Sequence, residues 1–181
     1  EPSGLIFGMN SYINEQVIPP LSEKELRQGV KLANLSFLSS GITSVQDATV
    51  RNGFDQWQTF LRFKERGELV PRISMMLGLH ALADLTERGL HYGYGDRRLR
   101  LGAVKFILDE TSGRLNPSQG ELNEGVFQAH QAGFQVAIHA VEEGTVEAAA
   151  IALEHCLLRA SKDNRRHRLE HCSVCPPPLL R

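Results

Sequence analysis

No run of about 18 apolar residues occurs anywhere in the chain, so nothing in it reads as a membrane span. Cysteine is scarce. Cys156, Cys172 and Cys175 are too few for a disulfide framework, and a reducing, cytoplasmic setting is the expectation. No charge of either sign dominates: 20 basic against 21 acidic residues leave a formal net charge of -1. A dedicated nucleic-acid binder normally carries a basic excess or stripe, so that class is set aside. The basic cluster Arg165-Arg166-His167-Arg168 precedes an apolar run and reads as a solvated loop. There is no signal-peptide pattern, although a leader lost ahead of Glu1 would escape this reading. Also missing are a solenoid repeat, a low-complexity tract, a dinucleotide fingerprint and a phosphate loop.

What remains is an ordinary globular composition. In 181 residues, 41% are hydrophobic and 23% charged, enough for one domain with a real core. Residues 1–20 are rich in turn formers, end in Pro19-Pro20 and read as an irregular lead-in. Ser22 with Glu25 forms a capping box for a helix carrying Leu26, Val30, Ala33, Phe37 and Leu38, and Gly41 closes it. The run Ile42–Val45 predicts a strand ending near Asp47. Residues 54–66 predict a helix, 70–79 a strand, and 81–100 a mixed stretch with a Tyr-Gly-Tyr-Gly loop. A strand over 102–108, a helix over 120–132, a strand over 134–138, a helix over 146–157 and a strand over 168–174 follow, stopped by Pro176-Pro177-Pro178. Strands too continuous in apolar residues to be half-exposed, alternating with helices, point to a parallel sheet covered on both faces, which an open doubly wound sheet and a (β/α) barrel fit equally.

Three residues stand where such a sheet would not casually put them. Lys105 interrupts Ala-Val-Lys-Phe-Ile-Leu, and lysine is almost never fully buried without a partner. An edge-strand lysine would reach water by its stem. A functional one would serve as a Schiff-base amine or, carboxylated, as an anionic metal ligand. His139 follows Val136-Ala137-Ile138, and His171 follows Leu169-Glu170, each at the carboxyl end of its strand. Singly they are ordinary histidines. Together with Lys105 they place metal-compatible groups on three successive strands, at the end where parallel α/β folds bind ligands. Asp47, Asp109 and Glu110 read as loop or capping acids, with a substrate-facing role as the alternative.

The segments Gly41–Asp47, Gly102–Lys105, Val136–Ala140 and Arg168–His171 resemble, in order, those of amidohydrolase family 3, and Glu1–Ile6 resembles the stretch ahead of its second barrel strand. The resemblance implies a partial (β/α)8 TIM barrel, a single domain over 1–181 covering about strands two to six. It implies a divalent metal, zinc foremost, as one or two ions. Lys105 would be carboxylated and bridge them, while His139 and His171 would bind one. The implied reaction is hydrolysis of an amide-like, non-peptide C–N bond in a small molecule by a metal-activated water. The pattern is incomplete here. No His-x-His occurs, no eighth-strand aspartate is present, Glu142-Glu143 stands in place of Gly-Asp, and Asp109-Glu110 in place of Asp-Gly. The expectation is half of a binuclear site, inactive alone, whose unpaired sheet edges associate with a second copy or with the missing barrel segments.

Two other readings compete. Lys105 as the Schiff-base lysine of an aldolase-type lyase explains a buried lysine without metal, but leaves the histidines without a shared role. A structural zinc or assembly module would use the Cys172-x-x-Cys175 pair with His155, Cys156 or His171, although the usual companion Cys pair is missing and Cys156 belongs to an apolar helix stripe.

Overall fold

The computed structural model describes Gly4, Met9 and residues 12–110, 113–160 and 164–180. Except for Gly4, the Glu1–Ile6 segment lies outside the described residues; further along the lead-in, Ile13–Val17 form a single π-helical turn. Five strands follow: β1 (Ser44–Asp47), β2 (Arg72–Gly78), β3 (Leu99–Ile107), β4 (Val136–Ala140) and β5 (Arg168–His171). They pair in chain order, every pair parallel. The connections carry α2 (Phe54–Glu65), α3 (Leu82–Glu87), α4 (Gln119–Gln131) and α5 (Glu143–Arg159), with α1 (Glu23–Ser39) ahead of β1. This is the curled half-barrel of a partial α/β TIM barrel.

Local chemistry explains where the helices start. Ser22 and Ser118 each accept from the backbone N–H three residues on, while Glu25 and Glu121 reach back to the Ser backbone N–H at 2.8 and 2.9 Å. Gly41, at φ 71°, adopts the left-handed turn that ends α1, and Ile42 N–H closes on the Phe37 carbonyl at 2.8 Å.

Most of the buried apolar side chains pack between the outer face of the sheet and the helices. They include Trp57, Met75, Leu77, Leu101, Val104, Phe106, Val126, Phe134 and Ile138. A second, small cluster of Met76, Ala103 and Ala137 lines the inner, concave face. Strand alternation puts Lys105 on that same inner face as Ala103, and His139 on it with Ala137. The sheet is curled enough that its first and last strands meet across the interior. Arg168 of β5 donates to Gln46 Oε1 of β1 at 3.1 Å.

Three expectations need correction. The stretch 81–100 contains a 3-10 turn over Leu79–Ala81 and the short helix α3, because Leu82 and Leu85 bury against the core; the Tyr-Gly-Tyr-Gly turn follows as expected. β3 begins at Leu99 rather than 102, since Leu99 and Leu101 are buried against β2 while Arg100 faces out of the core. β5 stops at His171, where the backbone turns left-handed, rather than at Val174.

Candidate metal centre

Lys105 is 4% exposed, and its ammonium lies 3.6 Å from Glu170 Oε2. Glu170 is in turn braced by Arg168, whose guanidinium stands 3.0 Å from its other carboxylate oxygen. The lysine is therefore buried and partnered, as burial of a cation demands. It is not an edge-strand lysine reaching solvent, because β3 has β2 on one side and β4 on the other.

His139 stands beside Glu170 in the β4–β5 register. The same register puts His171 opposite Ala140, out of phase with His139. Yet the two imidazole centroids are 4.5 Å apart, with the rings at 68°. The chain leaves strand geometry at that point: His171 has φ 79° and Cys172 φ 48°, a left-handed pair that non-glycine residues rarely adopt. That departure lets an out-of-phase side chain meet one on the inner face. Burial, and then the nearby His171 and Lys105, hold the His139 imidazole below its ordinary pKa. His139 is thus neutral around pH 7, the form that ligates metal.

The fit to a divalent ion can be tested on these groups. With metal–nitrogen bonds near 2.1 Å, a ring centroid stands about 3.2 Å from the ion, so two rings on one ion sit roughly 4.5–5.5 Å apart. The observed spacing falls in that range. His139 and His171 suit one side of an ion as they stand, whereas Lys105, paired as an ammonium, suits it only once converted to an anion.

Of the acids flagged from sequence, Asp47 is hydrogen-bonded within its own loop. Asp47 Oδ1 accepts from the Thr49 backbone N–H and hydroxyl at 3.0 and 2.6 Å, and its Oδ2 accepts from buried Asn52 at 3.0 Å. It braces the loop after β1. Asp109 exchanges backbone hydrogen bonds with Asn116, and the Glu110 carboxylate lies over Gly144 in the first turn of α5. Glu142 is the N-cap residue of α5 and close enough to His139 to act on its charge.

A different group had no motif to announce it. His130, Cys156 and His167 offer ligand atoms all within 4.8 Å of one another, at the opposite ends of β4 and β5. Cys156 belongs to this group, while Cys172 and Cys175 join no three-ligand cluster among the described residues. The one available signal was His130 itself, which falls on the apolar stripe of α4 beside Val126 and Ala129.

A curled half-barrel of parallel strands, with a lysine and two histidines toward its carboxyl ends, is a partial α/β barrel. The chain belongs to the amidohydrolase family, whose model matches residues 1–181. No match was found among curated proteins. Among solved structures it is similar to an uncharacterized metal-dependent hydrolase from Pyrococcus furiosus, with 26% identity and a TM-score of 0.75 over 94% of this chain. An uncharacterized metal-dependent hydrolase from Pyrococcus horikoshii OT3 shares the fold, at 22% identity and a TM-score of 0.74, again over 94% of this chain. The chain spans 37% and 36% of the lengths of those two proteins.

Proposed function

We propose that this chain contributes half of the metal centre of a hydrolase acting on amide-like, non-peptide C–N bonds of small molecules. The observation that carries the reading is the meeting of His139 and His171, 4.5 Å apart, on the same inner face as buried Lys105. Family membership and the two hydrolase neighbours support a divalent metal, and the mixed nitrogen and oxygen donor set suits zinc. His139 and His171 would hold the ion from one side, with Lys105, carboxylated, on the other. When bound, the metal lowers the pKa of a water and polarises the substrate carbonyl.

The protein's own groups set the conditions. Burial keeps His139 neutral and open to a ligand. Before carboxylation Glu170 pairs with the Lys105 ammonium, and Arg168 holds Glu170. Groups beyond His139, His171 and Lys105 would complete the centre and move the proton to the leaving nitrogen. The sheet edges at β1 and β5 offer a place for a second copy or further barrel segments to pair. The Schiff-base alternative leaves His139 and His171, which the fold brings together, without a task.

The test is metal content by elemental analysis after zinc loading, in the parent chain and in Lys105→Ala, His139→Ala and His171→Ala. Each histidine variant is expected to lose one equivalent. Unchanged content in both would end the proposal. With the completing segments supplied, amine release from small amides and ureas, rather than acid release from esters, is the expected activity.

A further inference from the structure

We propose a second metal site, for a zinc-like ion, formed by His130, Cys156 and His167 beneath β4 and β5. His130 lies in the last turn of α4, Cys156 near the end of α5, and His167 immediately ahead of β5. Four residues of strand separate His167 from His171, about 13 Å, so this group is distinct from the one at the carboxyl ends.

The three side chains form a built interior cluster. His130 is 3% and Cys156 0% exposed. His130 Nδ1 and His167 Nε2 are 2.9 Å apart, and the Val136 backbone N–H donates to His167 Nδ1 at 3.0 Å. That donation fixes the tautomer. With Nδ1 accepting, His167 carries its proton on Nε2 and gives it to His130 Nδ1, so His130 carries its own on Nε2. His130 Nε2 is buried and finds no hydrogen-bond partner among the described residues. The ion would take His130 Nδ1 and His167 Nε2, so this outer nitrogen keeps its proton and is not a ligand. Desolvation, with His130 and Arg165 nearby, holds His167 down to about 4, so its ring is neutral at pH 7.

One thiolate and two imidazoles are the donor set of zinc and its borderline-soft neighbours. Tetrahedral zinc with bonds near 2.1 Å to nitrogen sets its nitrogen ligands about 3.4 Å apart, so the two rings, now 2.9 Å apart at these atoms, need part by only about half an ångström. Binding exchanges the ion for two protons, the Cys156 thiol proton and the His167 Nε2 proton that lies between the rings. The resulting thiolate and imidazolate balance the dication, so the buried site carries no net charge, and Val136 N–H still donates to the imidazolate. A water fills the fourth position. Burial raises the Cys156 thiol pKa, but a coordinating metal deprotonates a thiol outright. The ion would tie α4, α5 and the start of β5 together.

Cobalt(II) titration of the metal-free 181-residue chain tests this, because a thiolate–cobalt charge-transfer band marks a sulfur ligand that the Lys105, His139 and His171 centre does not have. The band is expected in the parent chain, in a His139→Ala/His171→Ala double variant and in a Cys172→Ser/Cys175→Ser double variant, and is lost in Cys156→Ser. No band in the parent chain, or a band that follows Cys172 and Cys175, overturns the site. Should Cys156→Ser not fold, zinc-edge X-ray absorption of the His139→Ala/His171→Ala variant decides: one sulfur and two imidazole neighbours support it, and an all-nitrogen-and-oxygen shell overturns it. Loss of metal from the strand-end site alone leaves the band in place, so the two proposals fail separately.

Discussion

A lysine in the middle of an apolar strand is visible in the sequence, and so is its oddness, but its partner is not. Glu170 lies 65 positions further along the chain, and only the β3–β4–β5 pairing brings its carboxylate to 3.6 Å from Lys105. Removing one partner of a buried pair costs more than removing both, because a lone charge is left behind. In the metal-free protein, Glu170→Ala is expected to destabilise by about 2 kcal/mol, discounted for the partial exposure of Glu170, while Lys105→Met/Glu170→Ala recovers most of it. Urea unfolding of the three proteins checks this, and an additive double variant would mean the pair does not interact. His171 was read correctly as standing at a strand end, but its meeting with His139 depends on a left-handed backbone that no residue type announces. The cluster of His130, Cys156 and His167 was illegible for a related reason. Its members lie 26 and 11 positions apart on three elements, in no recognisable spacing, and His167 sat inside what read as a solvated basic loop.

Helix starts and strand cores were the elements best encoded, since capping boxes and continuous apolar runs act locally. α3 was missed because six residues give too little periodicity, and Leu82 and Leu85 show their purpose only once the core is assembled. Packing between elements was not legible either. Gly125 of α4 lies so close to β3 that an added Cβ would sit 2.7 Å from Leu79 Cδ2 and 2.9 Å from Phe106 Cε1. Helix propensity alone favours Gly125→Ala by up to about 1 kcal/mol. Overpacking at this contact costs about 1–3 kcal/mol and is expected to win, giving a net loss in thermal or urea unfolding. A net gain would show that Leu79 moves aside freely. The turn between α3 and β3 carries a pH dependence of its own. Asp96 is held down to about 2 by Lys64 and by the backbone N–H groups of Arg98 and Leu99. A carboxyl depressed in the folded state stabilises it above the unfolded value near 3.9, and that contribution fades as pH falls from there toward 2. The protection of the Arg98 and Leu99 amides against hydrogen exchange, relative to their intrinsic rates at each pH, should therefore fall across that window, and Asp96→Asn should remove the dependence.

For the whole molecule, the alternation of strand and helix led to a parallel sheet, and the family resemblance, not the alternation, chose a partial barrel over an open sheet; its curl is visible only in contacts such as Arg168 with Gln46. That curl is what points the carboxyl ends of β3, β4 and β5 toward a common centre, and at the proposed site it would couple metal binding to folding. His139 and His171 sit on separate strands and come together only in the native chain, so an ion they share binds the folded state and leaves the unfolded one. Zinc at a hundredfold excess over its dissociation constant for this site should add about 2.7 kcal/mol to unfolding, and chelation should remove it. The gain should shrink by about that amount in His171→Ala and in His139→Ala alike, because either loss leaves a single imidazole. If both variants keep the whole gain, the stabilising ion lies elsewhere, and the His130, Cys156 and His167 cluster becomes the place to look. If each loses it while the thiolate–cobalt band persists, the half-barrel holds two ions, one at each end of the same pair of strands.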